Sequence, residues 1–160
     1  IMKFNKAIKN LFIVLFSTLL ISACSTAKKA SVDTVDDVYT GTDTVEFLAK
    51  GVPDRIFFAT NKSKLTTASR DTLRKQATWM RKNKDVTVTV EGHADERGTR
   101  EYNLALGERR ANAAKDYLMT YGVSGKRISV ISYGKERPVN PASSPLAWSQ
   151  NRRSVTVKAN

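Results

Sequence analysis

Residues 85–91 read Asp-Val-Thr-Val-Thr-Val-Glu, an alternation that sets three valines on one side and polar groups on the other. Side chains on a strand alternate faces with a period of two, so this segment predicts a half-buried β-strand in a sheet covered on one face. The cover has to come from neighbouring segments, and there the period changes. Arg55-Ile56-Phe57-Phe58-Ala59 predicts a first strand, closed off by polar Thr60-Asn61-Lys62-Ser63. A helix is expected from Thr66 or Thr67 to about Lys82, opened by capping hydroxyls, with Leu73, Ala77 and Met80 on one face. A second helix contains Arg110, Ala113, Ala114, Tyr117, Leu118 and Tyr121 and stops at Gly122. Ile128–Tyr133 predicts a strand, a proline-containing loop with a short helix near Leu146–Asn151 follows, and Ser154–Lys158 predicts the last strand. The order βαβα and then β–β predicts an α/β sandwich, a mixed sheet with helices packed on it. Trp79 and Trp148 read as packing residues.

The 160 residues carry 27 Lys and Arg against 15 Asp and Glu, and the excess is uneven. Residues 52–160 hold 21 basic and 10 acidic side chains, whereas residues 25–51 are net acidic. A basic folded domain favours an anionic partner. The amino terminus restricts which one. Lys3, Lys6 and Lys9 precede an apolar run from Leu11 to Ile21 that is too short for a comfortable membrane span. The run ends at Ile21-Ser22-Ala23-Cys24, which resembles a bacterial lipoprotein box. Residues 1–23 thus read as a signal peptide, with Cys24 the lipid attachment point, stably anchored if it carries several acyl chains. Ser25 after the cysteine, by the same resemblance, implies sorting to the outer membrane. Residues 24–51, polar and without an apolar period, read as a flexible linker, and 52–160 as the single folded domain. Export argues against nucleic acid as the partner. The lone cysteine excludes an intramolecular disulfide and the lone histidine a His-rich metal site; neither metal nor cofactor is expected.

Polar residues crowd the turn after the alternating strand, Glu91-Gly92-His93-Ala94-Asp95-Glu96-Arg97-Gly98-Thr99-Arg100-Glu101. Such loops are where a rigid scaffold displays function. Gly92 and Gly98 would permit tight turns and close approach of a ligand. Gly107, poor inside a helix but acceptable as a cap, predicts a short helical turn at 100–106, a break, and Arg110 in the first turn of the main helix, facing the Asp95 loop. On these residues alone three readings stay open. Asp95 and Glu96 could serve as the acid/base pair of a hydrolase, although adjacent loop residues seldom converge on one bond. His93 and Asp95 could ligate a metal, but without a second His or Cys and amid arginines. Asp95 and Arg110 could equally be ordinary surface ion pairs.

The run Gly92–Thr99, with Tyr102-Asn103, Ala105–Ala113, Ser132–Pro138 and Asn151-Arg152-Arg153, resembles the peptidoglycan-associated lipoproteins (Pal) of the Tol–Pal system, whose globular part is an OmpA-like domain. The resemblance implies a non-catalytic clamp for peptidoglycan stem peptides containing meso-diaminopimelate, tethering outer membrane to cell wall. Asp95 matches the aspartate that holds the diaminopimelate ammonium, and Arg110 the arginine that holds its carboxylate. Asn103 and Leu106 match positions that shape the loop and pocket wall, and His93 a histidine with a hydrogen-bonding loop role. TolB and other Tol-system proteins are the implied protein partners. One stretch departs from the pattern: Thr60 stands where the family carries an aromatic and Asn61 where it carries an aspartate, both at positions lining the ligand site. Asn61 could hydrogen-bond the ligand but supplies no charge.

Overall fold

A computed structural model describes residues 37–159. The signal peptide, Cys24 and the first part of the linker lie outside the described residues. Strands β1 (Phe47–Ala49) and β2 (Val52–Pro53) form a small antiparallel pair. Then come β3 (Arg55–Phe57), helix α1 (Thr67–Lys82), β4 (Val88–His93), helix α2 (Arg100–Thr120), β5 (Ile128–Gly134), helix α3 (Pro145–Asn151) and β6 (Arg153–Lys158). The main sheet runs β3-β6-β4-β5, with β4 and β5 parallel and the other pairs antiparallel. This is the mixed sheet with helices packed on it that the pattern of periods predicts.

The α1 expectation holds in detail. Thr66 caps the helix by accepting from the Ser69 amide at 3.1 Å, and Leu73, Ala77 and Met80 are buried. They meet Ile56, Phe58, Val88, Val90, Ala111, Ala114, Leu118 and Ile128 in one core. Inside it, Gln76 donates to the Pro53 carbonyl at 2.8 Å and accepts from Thr156 at 2.9 Å, so a fully buried amide is satisfied at both ends.

Three expectations change. The alternating segment enters the ladder only at Val88 and runs on to His93. The backbone before it is already engaged: the Val86 amide donates to Asn83, and the Val86 carbonyl accepts from Arg127 Nε at 2.9 Å. Helix α2 does not break at Gly107. It runs unbroken for 21 residues from its cap at Thr99, whose hydroxyl accepts from the Tyr102 amide, and Arg110 therefore sits in its third turn. Gly107 is a packing glycine, because a Cβ there would meet the Ser132 hydroxyl at 2.3 Å and the Gly92 carbonyl oxygen at 2.8 Å.

The third change concerns the linker. Residues 37–51, assigned to it from composition, pack on the domain. Tyr39 and Leu48 are buried, and the Tyr39 ring lies edge-on to Phe57 at 4.7 Å between centroids. Gln150 on α3 donates to Asp43, and the Asp54 amide to the Glu46 carbonyl at 2.9 Å. A few apolar side chains spread through a polar stretch leave no periodic trace, yet they suffice to pack the segment against the edge strand β3.

Candidate functional site

The site forms where β4, the turn after β3, and the α3–β6 junction meet. The Ala94 amide donates to the Gly134 carbonyl at 2.7 Å, which fixes the chain leaving β4 and turns Asp95 inward. Arg97 holds that carboxylate with a two-pronged fork, Nε to Oδ1 at 3.0 Å and Nη2 to Oδ2 at 2.7 Å, while its own amide donates to Oδ1 at 3.1 Å. Arg152 Nη1 reaches Oδ2 at 3.3 Å. Burial by itself pushes the Asp95 carboxyl up, but the bonds from Arg97 and Arg152 outweigh it and hold the group below its ordinary value. Asp95 is a fixed negative charge.

Arg110 is fully buried within reach of that charge. Its guanidinium donates to three backbone carbonyls: Nε to Lys62 at 2.9 Å, Nη1 to His93 at 2.8 Å and Nη2 to Ala59 at 3.1 Å. It thus pins the turn after β3 against the end of β4. Burial, followed by repulsion from Arg152, lowers its pKa to about 10, so it stays charged at neutral pH.

The remaining expected residues fall in different places. Asn103 is buried and donates to the Arg97 carbonyl at 2.9 Å, and Leu106 is buried one turn further along α2. Gly92 lies in β4 against α2, not in the loop. His93 offers the site only its backbone carbonyl. Its ring stacks on Tyr133 at 5.6 Å, among Arg153, Arg137 and Arg55. Burial first, and those three cations next, lower the imidazole to about 3; its 3.5 Å approach to Glu91 is therefore the contact of a neutral ring. Thr60 is in the site: its hydroxyl accepts from Arg97 Nη2 at 3.2 Å. Asn61 is exposed with φ of 55°, the left-handed conformation that asparagine tolerates better than most residues, so its position suits the turn.

Arg97, Arg152 and Asp37 were not singled out from the sequence. Arg152 emits the one usable signal, the pair Arg152-Arg153 at the junction between a short helix and the last strand. Arg97 stacks over the Trp148 ring at 4.3 Å, and Glu96 accepts from Trp148 Nε1 at 2.8 Å and from the Ser143 hydroxyl, so α3 holds the loop from outside. Those two bonds to Glu96 keep its carboxyl below the ordinary range. A general acid needs a raised pKa, and neither Asp95 nor Glu96 has one, which argues against the hydrolase reading. Among the described residues no group of His, Cys, Asp and Glu could hold a metal ion. A carboxylate beside three guanidinium groups is instead suited to a ligand carrying both charges.

The chain's likenesses agree with this geometry. The model of the OmpA family matches residues 57–152. The peptidoglycan-associated lipoprotein of Brucella melitensis is 44% identical over 150 residues, covering 91% of this chain and 89% of that one. That of Mesorhizobium japonicum is 55% identical over 106 residues, but the match spans only 63% of its length. Among solved structures, the peptidoglycan-associated lipoprotein of Burkholderia pseudomallei superposes with a TM-score of 0.65 at 32% identity, covering 66% of this chain and 90% of that one. The C-terminal domain of Helicobacter pylori MotB does so at 0.62 and 23% identity, over 67% and 84%, a likeness of fold alone. Matched along most of the Brucella protein and by the family model from β3 to the α3–β6 junction, the chain belongs to the OmpA family, among the peptidoglycan-associated lipoproteins.

Proposed function

We propose that this protein is an outer-membrane lipoprotein, anchored through Cys24 and facing the periplasm, whose domain holds peptidoglycan by the meso-diaminopimelate of its stem peptides. The observation that carries the reading is the ionised, inward-turned Asp95 set among Arg97, Arg110 and Arg152. Asp95 takes the ammonium of the diaminopimelate end. Arg110 takes the carboxylate: three of its N–H groups are committed to backbone carbonyls, and a guanidinium has five. Asn103 and Leu106 shape the wall, Gly92 and His93 the backbone beneath it, and Thr60 and Asn61 its rim. The OmpA family domain is a non-catalytic binding domain, so the contact is a tether between outer membrane and cell wall. By the same family likeness, TolB and other Tol-system proteins are its protein partners.

Co-sedimentation with purified sacculi tests the reading. The wild-type chain should pellet with intact sacculi, release no soluble fragments, and lose the interaction on Asp95→Ala. Release of muropeptides would revive the hydrolase. Binding that survives Asp95→Ala and vanishes in high salt would reduce the contact to the basic surface.

A further inference from the structure

The clamp is not empty of charge in the free protein. Asp37 lies at the start of the segment that packs on the domain, and its carboxylate reaches into the site. It accepts from the Thr60 amide at 2.9 Å and from the Thr60 hydroxyl, and pairs with Arg152 Nη2 at 3.3 Å. The Asp37 carbonyl accepts from the same Arg152 nitrogen. Arg97, from the other side, forks onto Asp95 and donates to the Thr60 hydroxyl. One hydroxyl thus bridges a carboxylate and a guanidinium, which stand side by side like the two charges of an amino-acid end. The receiving groups are buried, with side-chain exposures of 8% for Asp95 and 3% for Arg152. The groups laid on them are not, at 42% for Arg97 and 40% for Asp37. Asp37 also holds φ at 45°, a left-handed conformation whose cost is relieved when the residue leaves.

We propose that Asp37 and Arg97 are internal occupants of the clamp, Asp37 filling the carboxylate half on Thr60 and Arg152 and Arg97 the cationic half on Asp95, and that a zwitterionic amino-acid end binds by displacing both. This rests on the diaminopimelate reading given above, and it adds Arg152 and Thr60 to the carboxylate-binding groups. Because Asp37 opens the segment that packs on the domain, ligand binding is coupled to release of that end of the segment, up to the buried Tyr39. The apparent affinity is lowered by the fraction of molecules in which the site is self-occupied.

Calorimetry of the full chain in detergent, with a stem tripeptide ending in meso-diaminopimelate, tests the proposal. Asp37→Asn and Asp37→Ala should bind about fivefold tighter than wild type or better, as removal of an internal competitor requires. Asp43→Asn removes the same charge from the same segment, but at a carboxylate bonded to Gln150, and should leave affinity unchanged. Wild-type binding with equal or weaker binding by both Asp37 variants overturns self-occupancy and leaves the clamp standing. Equal tightening by Asp43→Asn overturns it too, by making the effect one of net charge. If neither wild type nor the Asp37 variants bind the peptide, the clamp fails and self-occupancy with it.

Discussion

Gly92 on β4 and Gly107 on α2 touch backbone to backbone: a Cβ on Gly92 would lie 1.8 Å from the Gly107 carbonyl oxygen. This contact brings the third turn of α2 down onto the sheet and carries the Arg110 guanidinium under the end of β4. Gly107→Ala would gain helix propensity of about 1 kcal/mol, yet it drives a methyl into Ser132 and the Gly92 carbonyl. Overpacking of this kind costs about 1–3 kcal/mol, so net destabilisation is expected, and more for Gly92→Ala, which meets backbone alone. Urea unfolding measures both. A Gly107→Ala midpoint above wild type would show that the helix gains more than the contact loses.

The same glycine marks how far the sequence could be read. Val88, Val90, Leu73 and Met80 declared strand and helix because periodicity is local, and the helix-on-sheet order followed from their succession. Gly107 announced a special backbone position, but not which kind, since a cap and a close approach both favour glycine and only the tertiary partner separates them. Asp95 and Arg110 stood out through family likeness. Arg97 stands two residues from Asp95 in a turn so crowded with charges that nothing set it apart, whereas Arg152 and Asp37 meet across 115 residues, with no spacing rule to announce them.

Residues 37–51 should contribute to stability. Tyr39→Ala removes a buried ring packed on Phe57, and large aromatic truncations cost about 3–5 kcal/mol. The Tyr39 hydroxyl is buried without a hydrogen-bond partner, so Tyr39→Phe should be neutral or stabilising. Thermal unfolding of the two variants distinguishes packing from polar contact. A Tyr39→Ala chain as stable as wild type would return this segment to the linker.

His93 predicts an acid limb in the stability curve. Its imidazole titrates near 6.5 when unfolded and is lowered to about 3 in the fold by burial and by Arg153, Arg137 and Arg55. Below 6.5 the unfolded chain therefore binds a proton that the folded chain refuses. The His93 contribution is fully present above pH 6.5 and is lost as pH falls toward 3, at up to about 1.4 kcal/mol per pH unit. The Asp95 carboxyl, held below its ordinary 3.8, adds a loss only at the bottom of that range. Urea midpoints between pH 7 and 4 should fall for wild type and flatten for His93→Gln. Parallel curves would place the sensitivity elsewhere.

Selectivity between two stem peptides is the most discriminating measurement of the clamp. Meso-diaminopimelate carries a carboxylate beside its terminal ammonium, and lysine at the same position does not. A lysine peptide still satisfies Asp95 but leaves the guanidinium side without its partner. Loss of a charge-assisted hydrogen bond costs about 1.5–3 kcal/mol, so the diaminopimelate peptide should bind roughly tenfold tighter or more. Arg110→Lys keeps the charge and loses the planar fork. It also loosens the turn that Arg110 pins through the Ala59 and Lys62 carbonyls, so affinity for both peptides is expected to drop. The ratio separates the two effects. Loosening weakens both peptides alike and leaves the ratio intact, whereas loss of a guanidinium that reads the carboxylate collapses it toward one. Arg152, whose Nε donates to the Phe58 carbonyl at 3.0 Å, adjoins the same turn, and Arg152→Lys should lower the ratio as well if the carboxylate lies between the two arginines. A wild-type ratio of one would remove the carboxylate from the recognition altogether.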